Sequence, residues 1–500
     1  MKDGLKKLSG ESLIYGIGQV SGRAVQVLLV PILTRALVPG EYAISELAMA
    51  YTQTAVLLLI MGMDGALARF FYHEPDRAAR VAMVSSSLMF RFGTGIVLAL
   101  LLALLAKPLA ASLMGGVAYE KYVRVMAVTL PFTLLVMFGN DVLRVTFQPW
   151  KFISLNIVNT LLVTGLSLWF VLVEKRGVIG VLYGRLIGDA ASAVFALVLA
   201  RHAIRPSFDG ATLRRMLSYG LPTVPAALAY GLISSLDRFM LQRTRSLEEV
   251  AVYGIAVKFF AVVTMGVSAF QLAYGPFAYA RAREPGAPRL FARVFASYLA
   301  VACFGALLVG LLAPELLAVL VPPEYRSAAG PALWLSFAAV AQGAYTVASV
   351  GIGLALATPL LGWCAGGAAL VGALAHWQLT PRFGPAGAGA ATFAGYLASA
   401  VFTYWVAQRV HPLPYRGGRL VILGLAALAV GLVGQRLVGP GAGGVAIRLG
   451  LALGFAASMA ALRVWSGEFA VAPEKAREGS GGQGNRGGRG VAMRPPTMES

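Results

Sequence analysis

Long apolar runs, each roughly 20 residues or more, alternate with short polar breaks along the whole chain. Within the runs apolar and polar positions do not strictly alternate, and Leu, Ala and Gly dominate. That pattern predicts helices rather than the alternating strands, about ten residues each, of a membrane barrel. The breaks divide the chain into about fourteen spans: residues 12–34, 43–66, 81–106, 122–143, 152–173, 178–200, 215–240, 250–274, 291–313, 328–350, 354–377, 385–408, 420–438 and 444–465. From Ser327 to Pro381 no Asp, Glu, Lys or Arg marks a boundary, so the break near Gly351 to Pro359 rests on glycine and proline alone. Lysines precede the first run, as in a signal peptide, but that run is too long for a signal core and lacks a small-residue cleavage site.

The pattern repeats. "ASAVF" stands at Ala191 to Phe195 and again at Ala398 to Phe402, an offset of 207. Tyr15-Gly16 matches Tyr219-Gly220, Pro108 matches Pro314, Tyr119 matches Tyr325, and Gly177 and Gly180 match Gly384 and Gly387 at nearly the same offset. These markers predict two pseudo-symmetric halves of about six helices each, 1–205 and 206–410, followed by two more helices within 411–466. An even number of crossings brings both halves in from the same side, so the axis relating them runs along the membrane normal. Such a pair encloses a central cavity that opens to either face by rocking. The residues from 467 to 500 include "EGSGGQGNRGGRG" and predict a disordered cytoplasmic tail.

Composition agrees with an all-α integral membrane protein: 58% of residues are hydrophobic, 13% are charged, and mean hydropathy is +0.73. The net charge of +20 would suggest a nucleic-acid partner in a soluble chain. Here the basic residues concentrate on the side of the N-terminus, with Arg201, Arg205, Arg214 and Arg215 in one connection and Arg281, Arg283, Arg289 and Arg293 in another. That bias is the positive-inside pattern, which places both termini in the cytoplasm and needs no nucleic acid.

The candidate chemistry lies in charges within the spans. Arg23 falls about 16 Å along the first helix, near the middle of a ~30 Å hydrocarbon layer. With Tyr15, Gln19 and Gln26 it forms a polar stripe at helical spacing. A lipid-facing Arg at that depth costs at least about 2.5–3.5 kcal/mol, so the stripe is expected to face a wet cavity. Arg91, Lys258 and Arg238 are the other candidate cavity bases; the competing reading makes them structural ion pairs with Glu46 or Asp237. Arg185 and Asp189, four residues apart, are expected to neutralise one another. A cavity with several bases is electropositive and suits a phosphate-bearing lipid headgroup. Pro31, Pro222 and Pro225 are candidate gating positions, with "YGLPTVPAAL" opening the seventh helix. Gly18 and Gly22, and Gly184 and Gly188, form GxxxG pairs that would let helices approach closely.

"PILTRALVPGEY" (Pro31 to Tyr42), "GMDGALARFFY" (Gly62 to Tyr72) and "GPFAYARARE" (Gly275 to Glu284) resemble segments of bacterial polysaccharide flippases of the multidrug/oligosaccharidyl-lipid/polysaccharide exporter superfamily. The resemblance covers residues 10 to 410, with Ala43 standing where the family often has glycine. It implies fourteen helices in two lobes and movement of polyprenyl-pyrophosphate-linked oligosaccharide from the inner to the outer leaflet of the cytoplasmic membrane. The implied partners are the lipid-linked glycan and membrane lipids, with polysaccharide assembly enzymes as further candidates. Two rival readings stay open: a cation-coupled multidrug exporter, which would use embedded acids such as Asp64 and Asp141, and a membrane polysaccharide polymerase or ligase. Against an enzyme, His73, His202, His376 and His411 are scattered, with no HExxH, Cys/His cluster or GxxxxGK[ST]. No cofactor or metal is therefore expected. The energy source is left among an ion gradient, the membrane potential and consumption of product.

Overall fold

The computed structural model describes residues 27–282, 284–355, 357, 359–439 and 441–464, together with 25, 466 and 471. A first series of helices comprises α1 (Val27–Ala36), α2 (Pro39–Ile60), α3 (Met63–His73), α4 (Arg77–Leu104), α5 (Ala106–Leu113), α6 (Glu120–Val145), α7 (Pro149–Leu168) and α8 (Val178–Ala200). A second comprises α9 (Gly210–Gly220), α10 (Val224–Thr244), α11 (Leu247–Arg281), α12 (Ala287–Leu311), α13 (Ala313–Leu320), α14 (Ala329–Leu354) and α15 (Pro359–Val410). Two last helices follow, α16 (Gly417–Leu437) and α17 (Ala442–Ala461). Among the described residues eleven helical stretches are long and apolar enough to cross a membrane. One of them, α15, is 52 residues long and consists of two helices joined at Gly384, so it carries the eleventh and twelfth expected spans. The chain is an all-α, multi-pass integral membrane protein.

Local chemistry sets where the helices start and stop. Asp76 caps α4 by accepting from the backbone N–H groups of Ala78 and Ala79, and Ser246 caps α11 by accepting from Glu249. Pro39 and Pro149 occupy the first turns of α2 and α7, where a missing N–H costs nothing. Two expected spans prove to be broken. The second divides at Met61-Gly62, both left-handed, into α2 and α3. The seventh divides into α9 and α10, because Pro222 sits in a 3-10 turn (Leu221–Thr223) and Pro225 in the first turn of α10. These prolines start a helix rather than bend one.

The two breaks meet. A Cβ added to Gly62 would stand 2.6 Å from the Gly220 carbonyl oxygen, and one added to Gly220 would strike the Met61 carbonyl. Only glycine lets the two backbones approach so closely.

The element order of the first series recurs in the second. A long helix (α4, α12) leads to an eight-residue helix (α5, α13) carrying Pro108 or Pro314, then to a 3-10 turn containing Tyr119 or Tyr325, then to another long helix (α6, α14). Gly177 (φ 61, ψ −145) and Gly384 (φ 57, ψ −135) share one backbone conformation. Gly177 packs on Glu41 in the first turn of α2, and Gly384 packs on Glu249 in the first turn of α11. Helix α2 is the main bridge between the series: Tyr42 and Leu47 share an apolar cluster with Val250, Tyr253 and Phe259 of α11. Helix α16 packs on α12, and α17 is held to α13 by a buried Arg448–Glu315 ion pair.

Candidate functional site

A polar cavity of about 170 Å³ lies beside this bridge. Its walls are α1, α2, α7 and α8, and one residue of the second series, Lys258 of α11, completes it. The first-series wall is tight because Gly184 and Gly188 press α8 onto Ser167 and Val163 of α7. Four charged side chains line the cavity: Glu46, Lys258, Arg185 and Asp189.

The first pair joins the two series. Lys258 Nζ donates to Glu46 Oε1 at 2.7 Å, with the side chains 15% and 6% exposed. The Glu46 stem also fills the space that a side chain at Gly254 would occupy. A pair so enclosed offsets its desolvation only while both partners are present.

The second pair is incomplete. Asp189 accepts from Thr133 Oγ1 at 2.7 Å and from Asn159 Nδ2 at 2.9 Å. Arg185 Nε stands 3.7 Å from the same carboxylate, too far for a hydrogen bond, and has no other partner in the protein although it is buried. The i, i+4 spacing therefore brings the two charges together without satisfying the guanidinium. The ion pair that the spacing predicts is present, yet of the two bases in this cavity Arg185 is the one without a hydrogen-bonded carboxylate and so the more available to an anion. The missing signal is tertiary, since Thr133 and Asn159 come from α6 and α7 and take the carboxylate first.

The expected site residues separate. Arg23, Gln19 and Gln26 lie outside the described residues. Lys258 does line the cavity. Arg91 does not: it is fully buried, donating to Asp141 at 2.8 Å, and Asp141 also takes Arg144 at 2.5 Å. Arg238 contacts its neighbour Asp237 at 3.4 Å and is not a wall of this cavity. Asp237 belongs instead to a closed chain in the second series. Tyr253 donates to it at 2.7 Å and meets Thr392 at 3.1 Å; Thr392 lies 3.5 Å from His376, which bonds Thr380 at 3.1 Å. The described part of the polar cavity thus holds two bases and two acids and is charge-balanced, not electropositive. The physical reason is that each base buried among these helices has drawn in a carboxylate. Of the gating candidates, Pro31 lies within α1 and its carbonyl accepts from Arg35 at 2.9 Å, while Pro222 and Pro225 form the exposed joint after Gly220. No group of residues able to hold a metal ion occurs among the described residues.

The family profile described as "Polysaccharide biosynthesis protein" matches residues 10–276. No curated protein sequence matches the chain. Among solved structures, the lipid II flippase MurJ in an inward closed conformation superposes with a TM-score of 0.72 at 12% identity, covering 90% of this chain and 98% of that one. An inward-facing multidrug resistance MATE family transporter of the MOP superfamily gives 0.57 at 17% identity over 81% and 93%. The Vibrio cholerae MATE transporter VcmN gives 0.54 at 15% over 81% and 96%. At these identities the likeness is one of fold, whereas the profile covers more than half of the sequence. The chain belongs to the polysaccharide biosynthesis protein family.

Proposed function

We propose that this protein is a flippase that moves polyprenyl-pyrophosphate-linked oligosaccharide from the inner to the outer leaflet of the cytoplasmic membrane by alternating access. In this reading residues 1–205 and 206–410 are the two rocking lobes, 411–466 adds two helices, and both termini are cytoplasmic. The observation that carries it is Arg185, which lines the polar cavity and whose buried Nε has no hydrogen-bond partner. A diphosphate oxygen supplies the acceptor that Asp189 does not. A second oxygen competes with Glu46 for Lys258. Because the Lys258–Glu46 pair links α2 to α11, headgroup binding then loosens a strut between the lobes and favours their rearrangement.

Protein reconstituted in vesicles with a fluorescent polyprenyl-pyrophosphate oligosaccharide tests this, with leaflet exchange read by quenching. Wild type is expected to translocate the lipid, Arg185→Ala to lose translocation while remaining folded, and Lys258→Ala to lose it with a lowered melting temperature. Unchanged rates in both variants would remove the cavity from the mechanism.

A second reading draws on the two acids in the same cavity. Glu46 and Asp189, rather than Asp64 or Asp141, are the groups through which a cation-coupled exporter would act; Asp64 is exposed at the start of α3 and Asp141 is held by two arginines. Efflux of a cationic dye that disappears in Asp189→Asn, with no lipid exchange by wild type, would favour it.

A further inference from the structure

A second cavity, about 420 Å³, lies on the other side of α2, between α4, α5, α6 and the second-series helix α10. No residue lining it is charged, and Leu, Met, Ala, Val and Phe form most of its wall. Its few hydroxyls are mostly spent on the protein itself. Tyr51 donates to the Leu113 carbonyl at 2.8 Å, Thr52 to Ala48 at 2.7 Å and Thr54 to Ala50 at 3.0 Å. With these donors taken, little is left to hold a polar guest. Size and lining suit an apolar ligand.

A third, far smaller pocket of about 10 Å³ lies between this chamber and the polar one. It is lined by Thr52 and Met126, which also line the apolar chamber, and by Met49, Leu182 and Arg185, which also line the polar one. A charged head and an apolar chain therefore have adjoining compartments, with Arg185 at the junction.

We infer that the apolar chamber between α2, α4, α5, α6 and α10 holds the polyisoprenoid chain of the transported lipid while its diphosphate engages Arg185. This rests on the flippase reading above. The chamber draws its walls from both halves, and one turn beyond Phe239 the side chain of Gln242 ties α10 to the end of α5. With its amide set by the surrounding bonds, Gln242 donates to the Leu113 carbonyl at 3.2 Å and accepts from Gly115 N–H at 3.1 Å. Rocking of the halves separates Leu236 and Phe239 from Leu109 and Leu113, and so opens the chamber as the head compartment opens.

The test is photolabelling of the full-length protein in nanodiscs with a sugar-free polyprenyl pyrophosphate carrying a benzophenone midway along its chain. The expected label falls on peptides containing Leu109, Leu113 and Phe239. It should drop about tenfold in Ala55→Trp, which narrows the chamber, and should resist competition by a diacyl phosphatidylglycerol carrying no photophore. Label confined to other helices, or equal competition by the two-chain lipid, overturns the inference even if Arg185→Ala still abolishes translocation, in which case the flippase reading survives alone. Should Ala55→Trp misfold, the wild-type label map and the competition decide the matter. Absence of any specific label together with absence of lipid exchange would count against the flippase reading itself.

Discussion

Counting 207 residues on from Arg185 and Asp189 leads to Thr392 and Tyr396. In the first half these positions put a guanidinium and a carboxylate on the wall of a cavity, with the guanidinium Nε unpartnered. In the second half Thr392 links Tyr253 to His376, and Tyr396 stacks on Phe260 with ring centroids 5.8 Å apart. The bridging helices differ likewise. Aligned as "EYAISELA" (Glu41 to Ala48) and "EVAVYGIA" (Glu249 to Ala256), they set Glu46 against Gly254, and Glu46 occupies the space that the glycine leaves. At these matched positions one repeated scaffold thus carries two interiors: the first lines a void with a guanidinium whose Nε lacks a partner, and the second joins Thr392, Tyr253 and His376 in one chain, although Ser399 and Thr403 nearby in sequence stay unsatisfied. A joined buried network fixes a structure, whereas a base beside a void with a donor to spare can take a ligand.

The largest effect is expected at the helix bridge. Glu46→Ala leaves the Lys258 ammonium enclosed without its partner, a loss of about 3–5 kcal/mol for breaking one side of a buried pair. Glu46→Ala combined with Lys258→Met should regain most of the thermal stability in detergent. If the double variant is no more stable than the single one, the pair is not what holds α2 to α11.

Next comes an exchange between the halves. Arg185→Thr gives the first half the residue of the second and removes a charged hydrogen bond to the diphosphate, about 1.5–3 kcal/mol, so lipid exchange should fall roughly tenfold to a hundredfold with little change in melting temperature. Thr392→Val should do the reverse, lowering stability by about 1–3 kcal/mol while leaving the exchange rate of the folded fraction near wild type. Equal rate losses in both would mean that the two interiors share one task.

Much of this contrast is legible in the sequence, and the rest is hidden for identifiable reasons. The spans follow from apolar run length, and the Gly184/Gly188 pair lies where α8 meets α7. The Lys258–Glu46 pair is one of two arrangements that depth in the membrane allows. The true setting of Arg91 is hidden because its partner Asp141 stands on another helix, and a single chain gives no rule for which of several buried acids a base will find. Arg185 is hidden for the converse reason: its neighbour in sequence is visible, but the competitors for that neighbour are tertiary. The Met61-Gly62 break has its cause in the contact with Gly220, across the interface between the halves, and no local pattern announces it. The match between α2 and α11 runs at an offset of 208, one residue away from the 207 of "ASAVF", so a search at the shorter offset passes over it.

An effect no larger than that of Thr392→Val bears on what the halves have in common. Gly177 and Gly384 adopt φ near +60° with ψ near −140°, a conformation open essentially to glycine, and each joint is packed on a glutamate in the first turn of a bridging helix. In Gly177→Ala and Gly384→Ala the added methyl meets a carboxylate at the end of a flexible side chain, which can swing aside. Backbone strain then accounts for most of the cost, about 1–3 kcal/mol in each variant. Because that strain depends on the shared backbone and not on the contrasting interiors, the two losses should agree within about 0.5 kcal/mol and add in the double variant. Melting curves of the two single variants and the double one provide the check. A neutral result at one joint and a loss at the other would mean that the repeat survives as a trace in the backbone while only one half still needs the turn it encodes.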